Sequence, residues 1–246
     1  MPLLPAEASE GRPRKWELRV VLNGIFYVMH GGIQWRLLPG EFPPWQTVYG
    51  YFRNWRDSGL WEQLNHQLRE KVRLKEGKEA QPTAGVLDSQ SVKTVEGGEE
   101  RGFDAGKKVA GRKRSVVVDT MGLILLVLVT AASVQDRSAA QTLPQQVKRH
   151  FPTLKHLWAD SNYSKTLVEW VKDKLGWVLE IVAKLPGQIG FAVLPRRWVV
   201  ERTFAWLNRS RRLSKDYERK TASSEAFIYI AMIRVMVRRL AKNEVN

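Results

Sequence analysis

Apolar residues in the first part of the chain recur at helical spacing. They do so from 16 to 29, from 45 to 56 after Pro43-Pro44, and again from 60 to 74. The second of these stretches carries an i, i+3, i+4, i+7 stripe formed by Val48, Tyr51, Phe52 and Trp55. We therefore predict a small all-α module over residues 1–80, with this aromatic stripe in its core.

The polar side of segment 45–56 favours contact with DNA. Short helices with aromatic packing and an arginine-bearing third helix resemble a helix-turn-helix DNA reader, although many small helical modules are plain scaffolds. The residues predicted to touch DNA are Gln46, Thr47, Tyr49, Arg53 and Arg56. The charged segment 73–82, which ends in proline, is the predicted module boundary.

Beyond residue 82 the pattern changes to short apolar runs alternating with amphipathic stretches. Strands are predicted at 84–92, 115–118, 123–130, 154–160 and 177–182, with a hairpin turn at 119–122. Helices are predicted at 137–148 with Asp136 as N-cap, at 164–175, at 196–213 and at 224–241. This order predicts an α/β domain over residues 83–246, an RNase H-like mixed sheet flanked by helices.

The charge and composition of the chain limit which classes of binding partner fit it. The formal net charge is +15, most of it after residue 80, which favours a phosphate-rich partner. Without cysteine, the chain has no disulfide, thiolate nucleophile or cysteine-type zinc site. The longest apolar run, Gly122 to Val129, is too short to cross a bilayer, and residues 1–12 lack a signal-peptide pattern. We expect a soluble, cytoplasmic protein with no membrane partner.

The helix at 196–213 combines one carboxylate with several arginines. Arg197, Glu201, Asn208 and Arg212 share one face, opposite the apolar face. An i,i+4 ion pair between Arg197 and Glu201 is the simplest interpretation. The more specific interpretation is that Glu201 is an acidic ligand within a surface that binds DNA.

Two further carboxylates end predicted strands, Asp88 and Asp160. In an RNase H-like sheet these strands could lie side by side, so both carboxylates could meet Glu201. Each also has a plainer interpretation. Asp160 could cap the next helix, and Asp88 could end its strand in an ordinary turn. Asp104, Asp119 and Asp136 are rivals that a loop, a turn and a cap explain better.

A basic, glycine-rich segment spans residues 102–114. By itself such a segment is typical of a solvated, flexible loop. Next to an acidic site it would hold DNA phosphates, which gives affinity and register but no sequence choice. The residues predicted to do so are Lys107, Lys108, Arg112, Lys113 and Arg114.

Four motifs in order carry a family resemblance: Leu87–Lys93, Gly106–Lys113, Trp158–Asp160 and Arg196–Trp206. They resemble the DDE transposases of bacterial insertion sequences, in the IS4-like superfamily. The chain is most similar to the short members of the family called IS-five. The likeness covers nearly the whole chain, including Trp35–Pro39 and Pro43–Trp55.

The resemblance implies Asp88, Asp160 and Glu201 as the acidic triad, and Arg197 as the arginine of the Tyr-Arg-Glu-Lys signature. Leu194 stands at the Tyr position and Asn208 at the Lys position. The lysine's role would pass to Arg212 or Arg209. DNA contacts are thus expected at Arg197, Arg202, Arg209 and Arg212.

The implied chemistry is phosphodiester cleavage and strand transfer with two Mg²⁺ ions per site, or Mn²⁺ in their place. Magnesium prefers carboxylate oxygens, which the triad supplies. The implied partners are double-stranded terminal repeats, target DNA and further copies of the chain, as a homodimer or larger assembly near the bacterial nucleoid.

Other function classes fit the sequence less well. A histidine-based nickase needs a His-X-His pair, which the four histidines do not form, and a tyrosine recombinase gains no support from their placement. Two alternatives stay open: a non-catalytic DNA-binding protein, such as a degenerate transposase or regulator, and an RNase H-like nuclease that cuts without joining.

Overall fold

The computed structural model describes residues 3–5, 14–95, 97–134, 136–160, 163, 165–182 and 196–242. Its N-terminal part consists of helices: α1 (Leu18–Gly31), a 3-10 turn (Trp35–Leu37), α2 (Trp45–Asp57) and α3 (Leu60–Lys75). The predicted all-α segment is confirmed. None of the helices in the described ranges is both long and apolar enough to span a bilayer.

The remainder alternates strands and helices. The strands are β1 (Ala84–Lys93), β2 (Gly102–Asp104), β3 (Val109–Asp119), β4 (Ile124–Ala131), β5 (His156–Asp160) and β6 (Val178–Val182). The helices are α4 (Asp136–His150), α5 (Lys165–Leu175), α6 (Arg197–Asn208), a 3-10 turn (Arg211–Leu213) and α7 (Thr221–Ala241). The short strand β2 was not among the predicted elements.

The six strands form one mixed sheet with β1 in its middle. β1 pairs antiparallel with β3 and parallel with β5. Further out, β4 pairs antiparallel with β3, and β6 pairs parallel with β5. The order β4-β3-β1-β5-β6, with β2 on the first residues of β3, is the predicted RNase H-like arrangement, which is therefore confirmed.

Alternating side chains of the central strands pack on opposite faces of the sheet, as the two-residue period of a strand requires. Val86 and Val118 join a core shared with α1–α3, α6 and α7. Leu87 and Val117 join a second core, covered by α4 and α5. Helices therefore bury both faces, and this explains why β1 and β3 are apolar on both sides.

The N-terminal helices share their core with the last helix of the chain. The α2 stripe buries Val48, Phe52 and Trp55, as predicted. The Phe52 ring stacks on Phe227 of α7, with ring centroids 4.6 Å apart. Burial of such large rings stabilises the contact by about 2 kcal/mol each.

The predicted boundary segment 73–82 is anchored to the sheet. Arg73 donates to the Glu79 carbonyl at 2.8 Å and to the buried Asp119 carboxylate at 2.6 Å. Asp119 also accepts the backbone N–H groups of Met121 and Leu123. The predicted hairpin turn at 119–122, with Asp119 as its first residue, is confirmed.

The basic segment 102–114 is an exposed turn only at residues 105–108, and the rest of it lies in strands β2 and β3. β3 begins at Val109, and Arg112 has none of its surface exposed because its backbone pairs with β1 and β4 and its side chain packs against residues 216–224. Its guanidinium donates to the Asp216 carboxylate at 3.2 Å and to the Glu218 carbonyl at 2.8 Å. The prediction that Arg112 holds phosphates is therefore wrong, because its donors face partners inside the protein.

The same correction applies to the next two basic residues. Arg114 is 1% exposed and donates to the Leu213 carbonyl at 2.8 Å. Lys113 is 4% exposed, and its ammonium donates to the Val134 carbonyl at 2.9 Å. Both side chains are enclosed, so neither is available to a DNA phosphate in this structure.

Candidate active site

Two of the three predicted carboxylates lie on neighbouring parallel strands, Asp88 in the middle of β1 and Asp160 at the end of β5. The pairing of β1 with β5 runs from Ala84 opposite His156 to Val86 opposite Trp158. Asp88 and Asp160 each follow two residues later. β5 ends at Asp160, whereas β1 continues past Asp88 to Lys93 and stays paired with β3, so the expectation that Asp88 ends its strand is wrong. The register nevertheless places the two carboxylates at the same level of the sheet, just beyond the parallel pairing of β1 with β5.

The electrostatics of Asp88 reflect that neighbourhood. Burial, aided by the negative charge of Asp160, raises the pKa of Asp88 from 3.8 to about 6. The Ser89 N–H, which donates to the Asp88 carboxylate at 2.6 Å, acts in the opposite direction. The positive charges of Arg197 and Lys107 also lower this pKa.

Arg197, the first residue of α6, links the third carboxylate to this pair. Its Nη2 lies 3.9 Å from Asp160 Oδ2 and 3.7 Å from Glu201 Oε1. The i,i+4 ion pair of the simplest interpretation is therefore present, and the same guanidinium also reaches the sheet edge. The Glu201 side chain is 51% exposed, so it is open to solvent on this side.

Lys107 is the predicted basic residue that reaches the acidic site. It lies in the turn between β2 and β3, where Asp104 accepts its backbone N–H at 3.0 Å. Its ammonium donates to the Ser89 carbonyl at 3.1 Å. Lys108 is exposed in the same turn and has a φ of 52°.

The three carboxylates offer the hard oxygen donors that Mg²⁺ and Mn²⁺ bind. Burial and the charge of Asp160 disfavour the ionised form of Asp88, so a cation would relieve a repulsion that exists there. The donors thus suit a divalent metal. Within the described residues, however, no group of three or more His, Cys, Asp or Glu side chains is close enough to hold one.

A hairpin positions the helix that carries Glu201. Thr203 Oγ1 donates to the Gly122 carbonyl at 2.8 Å, and Arg202 donates to the Met121 carbonyl at 3.0 Å. Gly122 has a φ of 80°, and a Cβ there would lie 2.8 Å from Thr203 Oγ1. Glycine is therefore required where β3 and β4 turn beneath α6.

The entry to α6 shows a feature that the sequence did not reveal. Arg196 has a φ of 78°, a left-handed conformation that is rare for residues other than glycine. Its guanidinium lies 4.9 Å from the centre of the Trp158 ring on β5. This contact ties the start of α6 to the strand that ends in Asp160.

Two other arginines of the predicted DNA surface have distinct environments. Arg202 lies between the rings of Trp198 and Trp206, at 4.2 and 4.7 Å from their centres. Arg209 is exposed and lines a groove of about 310 Å³ between α6 and α7, which also contains Arg234. Arg209 thus remains available to a phosphate, whereas the guanidinium of Arg202 is largely covered by the two tryptophan rings.

Arg212 does not replace the signature lysine. α6 ends at Asn208, so Arg212 lies on a separate 3-10 turn and not on the face of Glu201. It is 9% exposed and donates to Glu218 Oε1 at 2.8 Å and to the Ile33 carbonyl at 2.7 Å. The guanidinium of Arg212 is thus engaged by partners inside the protein, and its predicted contact with DNA stays a prediction.

Two lysines that the sequence pattern did not single out lie near the position of the signature lysine. Asn208 lines a groove of about 450 Å³ together with Lys93, Lys215 and Gln90. The groove follows β1 onward from Asp88. Lys93 comes from the end of a predicted strand, and Lys215 lies beyond the helix, so no local pattern connects them.

The predicted DNA-contacting residues of α2 differ in exposure. Gln46 and Arg53 are exposed, and Thr47 is half-buried. Tyr49 packs against Trp35, with ring centroids 5.3 Å apart. The Arg56 side chain is 9% exposed, with partners in Asp57 and in Ser223 of α7.

The contact between Arg56 and Ser223 Oγ measures 2.7 Å. Arg56 is thus a link between α2 and α7, and its predicted contact with DNA stays a prediction. Leu194, at the signature tyrosine position, and the side chain of Asp136, the predicted N-cap, lie outside the described residues.

A family model described as "Transposase DDE domain" matches residues 79–236. The chain belongs to this family. A second model, "Putative transposase of IS4/5 family", matches residues 1–65 of the transposase. The resemblance to transposases of IS4- and IS5-like insertion sequences is therefore confirmed, and the two matches together span most of the chain.

Two curated proteins of Burkholderia cepacia align with the transposase. The "Insertion element IS402 uncharacterized 16.2 kDa protein" is 30% identical over 107 residues, 41% of this chain and 71% of that protein. The "Putative transposase for insertion sequence element IS402" is 31% identical over 126 residues, 48% of this chain and 59% of that protein. The chain thus spans less than two thirds of the second relative.

Solved structures of the Mos1 transposition complexes also align with the chain. "Crystal structure of the Mos1 mariner paired end complex with Mn" is 13% identical, with a TM-score of 0.28 over 96% of this chain and 80% of that chain. "Crystal structure of the Mos1 Strand Transfer Complex" has 13% identity, 96% and 79% coverage and a TM-score of 0.25. TM-scores this low do not support a fold assignment. The assignment rests on the order of the strands in the sheet.

Proposed function

We propose that this transposase binds the double-stranded ends of its mobile element, hydrolyses a phosphodiester bond at each end and transfers the freed 3′ hydroxyls to target DNA. One observation carries the proposal. Asp88 and Asp160 lie at the same level of adjacent parallel strands, and the Arg197 guanidinium lies within 3.9 Å of Asp160 and 3.7 Å of Glu201. These three carboxylates are the implied triad.

Asp88, Asp160 and Glu201 would together hold two divalent ions, Mg²⁺ or Mn²⁺. Such ions activate the attacking oxygen and stabilise charge on the leaving oxygen. Arg197, 24% exposed between two carboxylates, supplies positive charge at the same place. Its planar guanidinium suits carboxylate and phosphate oxygens equally, so it can turn from one to the other when DNA enters.

Both chemical steps are displacements at phosphorus. In the first, a water oxygen bonds to the scissile phosphorus, and the bond to the element's 3′ oxygen breaks, which leaves a 3′ hydroxyl and a 5′ phosphate. In the second, that hydroxyl attacks a target phosphorus and displaces the target's own 3′ oxygen. The three carboxylates would suffice to hold the ions that both steps use. Neither step needs a covalent protein nucleophile.

Basic side chains around the triad would hold the DNA backbone. Lys107 beside Ser89, Lys93 and Lys215 in the groove along β1, and Arg209 between α6 and α7 flank the site. Such contacts release counterions and weaken as salt concentration rises. They give the affinity that the net charge of +15 favours.

The N-terminal module, 1–80, would add a separate DNA contact through Gln46, Thr47, Tyr49 and Arg53, while 83–246 performs the chemistry. Joining two ends requires two active sites, so the working form is a homodimer or larger assembly on DNA. The transposase would act in the bacterial cytoplasm, at the nucleoid.

The test uses duplex DNA that carries the element's own flanks, incubated with the purified protein and Mg²⁺. Wild type should release 3′ ends and join them to a plasmid. Asp88→Asn and Glu201→Gln should each lower both products by about a hundredfold, which corresponds to about 3 kcal/mol of transition-state stabilisation. Asp173→Asn and Glu169→Gln, on the exposed side of α5, are the matched controls and should retain activity.

A second candidate, a DNA-binding protein without catalysis, gains support from one observation. Among the described residues no metal-holding group is assembled, and Arg197 already balances Asp160 and Glu201. Binding of the flanks without cleavage by the wild type would favour this candidate. Cleavage without joining would favour a nuclease.

A further inference from the structure

A cleft of about 710 Å³ lies between α2, with the turn before it, and residues 217–223. We call it the aromatic–basic cleft. Four aromatic side chains line it: Trp35, Trp45, Tyr49 and Tyr217. Its volume falls within the range of sites that bind ligands of nucleotide size.

Positive charge dominates the rim of the cleft. Arg36, Arg53, Arg219 and Lys220 line it and are exposed. Of the two carboxylates among the lining residues, Glu218 is paired with Arg212 at 2.8 Å, and Glu99 is exposed. The rim therefore attracts an anion, while the wall beneath it is aromatic.

Long-range contacts hold the walls in place. Trp35 packs against Tyr49 at 5.3 Å and Phe52 at 5.2 Å between ring centroids. On the opposite side, Arg112 donates from inside the sheet to the carbonyls of Glu218 and Arg219, at 2.8 and 2.7 Å. The cleft is thus built by both ends of the chain and does not depend on one mobile loop.

The face of α2 that carries Trp45, Tyr49, Arg53 and Arg56 does not project as a helix in the major groove would. It lines a concave space, because residues 217–223 lie across from it and Arg56 is bonded to Ser223 at 2.7 Å. A reading helix must instead protrude into a groove about 12 Å wide. Aromatic side chains in a cationic groove are the arrangement that binds unpaired bases, by stacking and by phosphate contact.

We propose that the aromatic–basic cleft binds an unpaired nucleotide of a DNA strand. The base stacks among Trp45, Tyr49 and Trp35, and the flanking phosphates contact Arg53 and Lys220. The inference rests on the proposed function in that DNA is the partner. It adds a second contact, remote in sequence from the triad, that recognises unpaired DNA.

Fluorescence anisotropy tests this with a labelled oligothymidylate of about 12 nucleotides, a length typical of single-strand sites, and with a duplex of equal length. The variants are Trp45→Leu and Arg53→Gln/Lys220→Gln. The controls are Arg19→Gln/Lys71→Gln, two exposed cations on α1 and α3 outside the cleft. Each cleft variant should bind the single strand about tenfold more weakly, while duplex binding changes less than twofold and the controls match wild type.

A second readout is independent of affinity. A 2-aminopurine base placed in the strand should lose fluorescence on binding to wild type, because it stacks on an aromatic ring, and should lose less on binding to Trp45→Leu. Unchanged single-strand affinity and quenching in the cleft variants would overturn the inference. An equal loss of duplex binding would also overturn it, because the cleft would then be a duplex surface.

Asp88→Asn separates the two proposals. It should bind the single strand like wild type, although it fails to cleave. If wild type cleaves element ends and the cleft variants bind the single strand normally, the cleft proposal alone fails. If wild type binds no DNA and cleaves none, the proposed function fails as well.

Discussion

Two groups of cations lie next to each other on the chain in opposite environments. Lys107 and Lys108 stand exposed in the turn before β3, whereas Arg112 and Arg114 are enclosed within that strand. The turn faces Ser89 and solvent, while the strand is paired on both sides. Charge alone thus does not decide whether a basic residue binds DNA or holds the fold together.

The difference also predicts different behaviour on substitution. An enclosed arginine has partners that stay behind when it is removed, and a buried carboxylate without a partner is costly. An exposed lysine leaves little behind, and its loss is felt mainly by a ligand. Stability measurements and DNA-binding measurements should therefore separate the two groups.

The largest effect is expected for Arg112→Met. It leaves Asp216, 1% exposed, without its ion-pair partner and should lower the free energy of unfolding by about 3–5 kcal/mol. Urea unfolding measures it, with Lys108→Met as a matched control that changes stability by less than about 0.5 kcal/mol. If Arg112→Met does not accumulate, Arg112→Met/Asp216→Leu should recover part of the loss. If the free energy of unfolding of Arg112→Met lay within about 1 kcal/mol of the wild-type value, the contrast between enclosed and exposed cations would be contradicted.

The next effect concerns His66, a half-buried imidazole beside the buried guanidinium of Arg69. Burial first, then Arg69, lowers the pKa of His66 from 6.5 to about 4. The Leu125 carbonyl, His150 and Glu62 also face it, the last at 3.8 Å. Because the folded state holds this imidazole neutral, its contribution is complete above pH 6.5 and is lost as pH falls towards 4, by about 3 kcal/mol.

Glu225, whose pKa burial raises to about 7, changes stability in the opposite sense over part of this range. The measurement is therefore the difference in unfolding free energy between wild type and His66→Gln at pH 7.5 and at pH 4. The glutamine amide introduced by this substitution can still donate to the Leu125 carbonyl, so only the titration is removed. A difference that does not change with pH would show that His66 is protonated in the folded state.

The smallest effect is expected for Lys107→Gln. It should weaken duplex binding at low salt and reduce the slope of log affinity against log salt concentration by about 1. Unfolding free energy should stay within about 0.5 kcal/mol of wild type. Lys71→Gln, on the exposed side of α3, is the control. An unchanged slope would place Lys107 outside the DNA contact.

The sequence predicted those features that depend on local pattern. The alternating strands, the 119–122 hairpin and the places of Asp88 on β1 and Asp160 on β5 all follow from neighbouring residues. The burial of Arg112, Arg114 and Arg56 could not be predicted in this way. Their partners, Asp216, Leu213 and Ser223, lie about a hundred or more residues away along the chain.

The limit of α6 at Asn208 has a similar cause. Helical periodicity continues to Leu213, so the pattern favoured one long helix with Arg212 on the face of Glu201. In the fold, Arg212 reaches the Ile33 carbonyl and Glu218 instead. Those contacts with distant segments outweigh the small preference for one more helical turn.

The stacking of Phe52 on Phe227 has a consequence for synthesis on the ribosome. Helices α1 to α3 are made first, but the apolar surface that completes their core belongs to residues 221–241. Until that last helix emerges, the early helices expose a wide apolar face to chaperones and proteases. A chain interrupted before α7 should therefore be cleared rather than persist as a free DNA-binding fragment.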